Sequence, residues 1–214
     1  MLSLSDSGDL FRKITELESP QPSQKDWFRV YSGRTIHQFD HRYSSFEGKS
    51  WRALGEVEYK NPSFFIKTEY YVRYGEVPKR LNGKFPDNYL FGCRDICRST
   101  DERTAIAAIV PRTGCEKHCR NIYFHEISPT LISCFLSNFN SFVLDYFCRQ
   151  KVISTGLGAG VLEQFPFLPS EIYQTSKRFL DGEEQPIYRW ILNRTIELTY
   201  TAWDLQLFAQ DCGY

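Results

Sequence analysis

YLFGCRDICRSTDERTAIAAIVPR, residues 89–112, is the stretch whose reading decides the fold. A dense polar block at 94–104 separates the apolar run at 89–93 from a second one at 105–110. Apolar runs of this length, rich in β-branched and aromatic residues, read as strands, so the stretch is expected to give two strands or one long bent one. Pro111 stops the second run, because proline cannot donate to a ladder, and leaves Arg112 beside the strand end. A core has no use for arginine, aspartate, glutamate and threonine packed at the mouth of a buried element. A surface that reads donors and acceptors on a polymer has.

Upstream of this stretch, FRVYSG (28–33) reads as a strand and turn, RTIHQFDHRYSSFEG (34–48) as a strand and loop, and SFFIKTEYYV (63–72) as a strand, with a short helix over 77–81. At the N-terminus, Leu10, Ile14 and Leu17 make one helical stripe ahead of a Pro/Ser/Gln linker. Downstream, Ser128-Pro129 is a cap residue followed by proline at the first helical position. Leu131, Ile132, Phe135, Phe139, Phe142, Val143 and Tyr146 then recur at a spacing near 3.6, which predicts one helix ending near Arg149 with its wide aromatic stripe buried. A glycine-bearing loop, STGLGAG (154–160), and VLEQFPFLP (161–169) follow. A second long helix is expected from about Pro186, with Ile187, Ile191, Leu198, Ala202, Leu205 and Ala209 as its stripe and Gly213 as its stop. The fold class is therefore mixed α/β of the α+β kind, a mixed β-sheet with packed helices and no regular βαβ alternation. The expected organisation is an N-terminal helix and linker over 1–25, a main domain over 26–180 and a C-terminal helical segment over 181–214.

The 214 residues are 42% hydrophobic and 16% aromatic, enough for a sizeable core. The 26 basic and 26 acidic residues cancel. That balance argues against a free-standing, strongly basic nucleic-acid binder, whose affinity would come from phosphate neutralisation. It is compatible with a domain that reads bases while a partner grips the phosphates. No stretch is apolar for long enough to span a bilayer, and the first residues lack the layout of a signal peptide. Seven cysteines, an odd number scattered among ordinary core positions, point to free thiols in a reducing cytoplasm.

Several motifs compete for a chemical role. Asn61-Pro62-Ser63-Phe64 resembles the Asn-Pro-Pro-aromatic signature of amino-methyltransferases but lacks its second proline, and no glycine-rich cofactor loop precedes it. Cys93, Cys97, Cys115, His118, Cys119 and His125 raise the question of zinc. If Cys93 and Cys97 lie on one strand they are roughly 13 Å apart, too far for one ion, so no metal is expected. His37 and His41, with Asp40 between them, have no third ligand or nucleophile at useful spacing and read as hydrogen-bonded histidines. Lys151, Ser154 and Thr155 either touch a DNA backbone or belong to a plain connection. On a strand, Arg98, Thr100 and Glu102 would face one way and Ser99, Asp101 and Arg103 the other, one row toward a DNA groove. Arg103 alternatively forms a structural ion pair with Asp101 or Asp95.

Five blocks, IHQFDHRYSSFEG, YLFGCRDICRSTDERTAIAAIVPR, LSNFNSFVLDYFCRQKV, LEQFPFLP and ELTYTAWDLQLFAQDCGY, occur in an order that resembles the C-terminal, target-recognition half of large adenine-specific DNA methyltransferases. These belong to restriction–modification and phage-defence systems of the type IIG-like and BREX-like kinds. The run from Leu162 to Pro169 is also similar to the segment closing a recognition domain in type I specificity subunits. The resemblance implies a module that reads a short asymmetric site on double-stranded DNA for a methyltransferase catalytic subunit or lobe. Base-edge readers are then expected among Arg98, Thr100, Glu102, Arg103 and Arg112; the backbone contacts of Lys151 and Thr155 rest on their residue types and not on the resemblance. The family's catalytic half, which carries the S-adenosylmethionine fold, lies upstream of these blocks and has no counterpart here, so the chain is expected to hold no cofactor and not to be an enzyme on its own. Ile153-Ser154-Thr155-Gly156-Leu157 departs from the family's Gly-Gly-Thr-His-Leu, and the family continues beyond the equivalent of Tyr214. The chain thus reads as a trimmed recognition module or split subunit. A complete enzyme, a protein-interaction module docking on a methyltransferase and a non-functional fragment are the competing classes.

Overall fold

The computed structural model describes residues 10–17, 26–81, 88–153, 155–180 and 182–214. The chain enters on β1 (Phe11–Lys13) and a 3-10 turn (Ile14–Glu16). It continues through β2 (Trp27–Tyr31), β3 (Ser44–Phe46), β4 (Trp51–Ala53), α1 (Glu56–Tyr59), β5 (Tyr70–Arg73) and α2 (Glu76–Leu81). Next come β6 (Tyr89–Arg94), β7 (Ala107–Pro111), β8 (Gly114–Cys115) and β9 (Cys119–Ile122). The remainder is mostly helical: α3 (Pro129–Phe139), α4 (Phe142–Lys151), α5 (Ala159–Leu162), α6 (Ser170–Gln174), a ribbon of β10 (Ser176–Arg178) and β11 (Glu184–Pro186), α7 (Ile187–Thr199), a 3-10 turn (Trp203–Leu205) and α8 (Gln206–Asp211). The architecture is mixed α+β, with sheets ordered β1-β5-β2-β8 and β7-β6-β9.

The stretch 89–112 forms two strands. β6 pairs antiparallel with β7 on one side and β9 on the other, so that Phe91 lies opposite both Ile109 and Ile122. Both faces of the β6–β7 pair are covered, which is why these two strands read as continuous apolar runs. Tyr89, Phe91, Ala107 and Ile109 face a core that includes Leu136 and Phe139 of α3, Ile196 of α7, Leu205, and Phe208 of α8. Leu90, Ala108 and Val110 face a second core with Tyr31, Ile36 and Ile66. Fully burying each such large apolar side chain contributes about 1.5–3 kcal/mol.

Four expectations give way to longer-range contacts. The N-terminal stripe at Leu10, Ile14 and Leu17 is not a helix; Phe11–Lys13 adds a strand to the edge of β5, with Phe11 opposite Val72. One short helix is marginal alone, while an open strand edge offers a ladder. Only the end of 63–72 pairs as a strand, because Ile66 and Thr68 are both drawn inward and Thr68 bonds by its hydroxyl to Val30 and Tyr70.

The helix expected over 128–149 is two helices, α3 and α4, with a 61° bend between them. The bend is set by Asn140 and Ser141. Buried Asn140 accepts from the Ala107 N–H at 3.0 Å and donates to the Ala107 carbonyl at 2.9 Å, so its amide stands in for a neighbouring strand on the free edge of β7. The Ser141 hydroxyl accepts from the Leu144 N–H at 3.2 Å and starts a new helix. The stripe therefore does not stay buried. Phe142, Val143 and Tyr146 are 84%, 78% and 67% exposed. The second long periodic run breaks likewise: α7 stops at Thr199, and Ala202, Leu205 and Ala209 are buried from the turn and helix that follow.

A buried polar cluster fastens the far side. The fully buried Arg42 guanidinium donates to the carbonyls of Tyr59, Asn61, Phe64 and Thr201. Beside it, His41 meets Asp204 at 2.8 Å, and Arg29 lies 3.7 Å from the same carboxylate. Burial alone would raise the Asp204 carboxyl, but His41, Arg29 and Arg42 hold it below its ordinary value. No single helix among the described residues is long and apolar enough to cross a bilayer.

Candidate nucleic-acid interface

Residues 95–106 form a loop between β6 and β7, so the strand-like alternation of 98, 100 and 102 against 99, 101 and 103 does not exist. The loop is nonetheless tightly held. The Asp101 carboxylate accepts from the Arg98 N–H at 2.9 Å, and the Thr104 hydroxyl donates to the Arg98 carbonyl at 3.0 Å. From α4, Asp145 accepts from the N–H groups of Thr104 and Ala105 at 2.7 and 2.8 Å. Arg149, held by Asp145 at 2.9 Å, donates to the carbonyls of Ser99 and Glu102. Burial would push the Asp145 carboxyl upward; the Ala105 N–H, the Arg149 guanidinium and the Thr104 N–H outweigh it and keep the group below its ordinary value.

Arg98, Thr100 and Glu102 project from this clamped backbone into solvent, and among the described residues their side chains make no hydrogen bond or ion pair. Arg103 sits lower. Its side chain is 9% exposed, donates to the Asn140 carbonyl at 2.6 Å, lies 3.7 Å from Asp145, and passes 4.5 Å beneath the Phe142 ring. Its acidic partner is Asp145 rather than Asp101 or Asp95. Asp101 is occupied with the Arg98 backbone, and Asp95 is held by Arg120 at 2.7 Å with His118 at 3.5 Å.

Lys151, exposed at the end of α4, lies over the Phe147 ring at 5.6 Å, while exposed Thr155 is two residues before Leu157, whose N–H donates to the Asp95 carbonyl at 2.7 Å. Ser154 is outside the described residues. Arg112 does not join this group. It follows the opposite end of β7, half-buried, with its N–H on the Asn88 carbonyl, and the strand rise puts it roughly 17 Å along from Ala107.

The structure adds three residues that periodicity assigned to the core: Phe142, Val143 and Tyr146. The sequence signal that locates them is the Asn140-Ser141 pair inside an otherwise regular run, since both residues favour caps over helix interiors. Glu102, Arg103, Phe142, Asp145, Tyr146 and Arg149 line a notch of about 310 Å³ on this face. Three larger clefts, about 680, 690 and 620 Å³, lie elsewhere and are lined by none of the expected reader residues.

The other motifs take structural roles. Asn61 accepts from the Ser63 N–H at 3.0 Å, closing its own turn. His37 and His41 diverge, the first against the Tyr43 ring and the second onto Asp204. Cys97 lies beyond the end of β6, so the strand spacing used for Cys93 and Cys97 does not apply. Among the described residues no group of three or more His, Cys, Asp or Glu is placed to hold a metal ion. All seven cysteines are free, and burial pushes the Cys93 and Cys134 thiols up to about 12, which leaves them unreactive at neutral pH.

No family model, curated protein or solved structure matches the chain.

Proposed function

We propose that this chain is a DNA target-recognition module of an adenine-specific restriction–modification or phage-defence methyltransferase, reading a short duplex site for a separate catalytic lobe. The observation that carries this is the 95–106 loop: a backbone pinned from α4 by Asp145 and Arg149, with Arg98, Thr100 and Glu102 left open to solvent. Recognition is strongest when the ordering cost is met before the ligand arrives, and a rigid element with free functional groups meets it. Arginine offers a fork to guanine, a carboxylate accepts from cytosine, and threonine serves either role. Exposed Lys151 and Thr155 are residue types suited to phosphate. The zero net charge leaves most of the phosphate grip to a partner, which agrees with a module that works beside a catalytic lobe. The resemblance of the sequence blocks to methyltransferase recognition halves supports the same conclusion.

The test is selection from a random duplex library at low salt, followed by titration of the enriched site. An enriched sequence whose preference relaxes on Arg98→Ala supports the module. Recovery of no common sequence, by the chain alone and with a candidate catalytic subunit present, overturns it.

A further inference from the structure

Phe142 and Tyr146 are one helical turn apart on α4 and both project into solvent. Exposed aromatics are usually mobile, but Phe142 is not free to collapse. It is the first residue of a helix capped by Ser141, and one face of its ring rests on the Arg103 guanidinium, which is itself fastened to Asn140 and Asp145. The notch beside the two rings is also lined by Glu102 and Arg149. Protein-docking cores are depleted of Glu and Asp, whereas here Glu102 and Asp145 border the aromatic face. A nucleobase has the complementary character, a flat π-face with a polar edge.

We propose that this notch holds one unpaired base of a DNA strand, its ring stacked on Phe142 or Tyr146 and its exocyclic amine donating to Glu102. The proposal rests on the DNA-reading function above and adds a second contact mode, to which it reassigns Glu102: Arg98 and Thr100 read a duplex edge, and the notch captures a base that has left the stack. Adenine, cytosine and guanine each carry an exocyclic amine from which a carboxylate can accept; thymine has none.

Fluorescence anisotropy with labelled single-stranded homopolymers of dA, dC and dT tests this. The wild-type chain is expected to bind the dA and dC strands more tightly than dT, and the dA and dC arms show which amine-bearing base the notch takes. Phe142→Ala and Tyr146→Ala are each expected to weaken binding roughly fivefold to a hundredfold, the usual effect of removing a stacking partner. Phe142→Trp should retain it, and Glu102→Ala should equalise the three homopolymers. Tyr146 and Glu102 are exposed and Phe142→Trp keeps a ring over Arg103, so thermal melting should not move in the Tyr146→Ala, Glu102→Ala and Phe142→Trp variants, which separates loss of the site from loss of the fold. Binding that ignores both Phe142→Ala and Tyr146→Ala overturns the notch, as does the finding that these residues govern capture of a methyltransferase subunit instead of DNA. If duplex preference still depends on Arg98 in that case, only the notch fails. If neither duplex nor single strand binds, the DNA-reading function fails with it.

Discussion

Removing the Asp145 carboxylate tests whether the 95–106 loop is held as rigidly as its hydrogen bonds imply. Asp145 satisfies two buried N–H groups and the Arg149 guanidinium, and it lies beside the nearly buried Arg103. Asp145→Ala orphans both N–H groups and strips two guanidinium groups of their counter-charge, at a cost of about 3–5 kcal/mol for breaking a buried pair from one side. Asp145→Asn keeps the shape and one acceptor oxygen but turns an amide toward Arg149, costing about 1.5–3 kcal/mol. For a chain of this size each kcal/mol lowers Tm by about 2–4 °C, so the alanine variant should melt about 6–20 °C lower. The pH dependence has a definite sign. The Asp145 carboxyl is held below its unfolded value, so its contribution is fully present above the ordinary aspartate range and is lost as pH falls through the folded value. Calorimetry of wild type and Asp145→Asn from pH 7 down to pH 3 should show the two converging at the acid end. Amide exchange supplies the local measure: Thr104 and Ala105 should be protected in the wild type and lose that protection in both variants. If Asp145→Ala leaves Tm and those two amides unchanged, the loop is not clamped and the case for a preorganised reading loop collapses.

Other substitutions separate readers from supports. Arg98→Ala should cost about 1–3 kcal/mol on the preferred duplex and relax base preference there without shifting Tm, whereas Arg103→Ala should lower Tm and binding together. Lys151→Ala should weaken all sequences alike and flatten the salt dependence of binding; a base-specific effect would place the residue differently. Asn140→Ala should destabilise the fold by about 2–4 kcal/mol in denaturant titration, because both polar groups of Ala107 lose their side-chain partner. The chain alone should transfer no methyl group from labelled S-adenosylmethionine to mixed-sequence DNA, and measurable transfer would contradict a module that depends on a separate catalytic lobe.

The central hairpin is legible in the sequence because both its faces are buried, so that 89–93 and 105–110 stay apolar at every position. The starts of α3 and α7 are legible from Ser128-Pro129 and Pro186, since caps and prolines act locally. The bend at Asn140 is marked in the sequence only by the Asn140-Ser141 pair, because its cause is a hydrogen-bond partner 33 residues earlier on β7. The exposed face of α4 follows from that bend, and periodicity alone placed it inside. Arg98, Thr100 and Glu102 were singled out from composition, but their presentation depends on Asp145 and Arg149, which a strand geometry for 95–106 could not bring into play. Arg103 was correctly open to an ion-pair role, although the nearer aspartates in sequence are not its partner.

The Arg42 guanidinium bears on how the molecule is made as well as how it is held. Its acceptors come from residues 59–64 and from Thr201, and the neighbouring contacts of His41 with Asp204 and of the Trp203 N–H with the Pro62 carbonyl repeat that long connection. A nascent chain emerging from the ribosome reaches residue 64 long before residue 201 exists, and until then this cation has neither its last acceptor nor its cover. The N-terminal layer must wait, solvated and unfinished, for the C-terminal turn to arrive. Such non-local closure slows folding and leaves apolar surface open during synthesis, so yield in the cell should respond to translation speed and chaperone supply more than the finished fold would suggest.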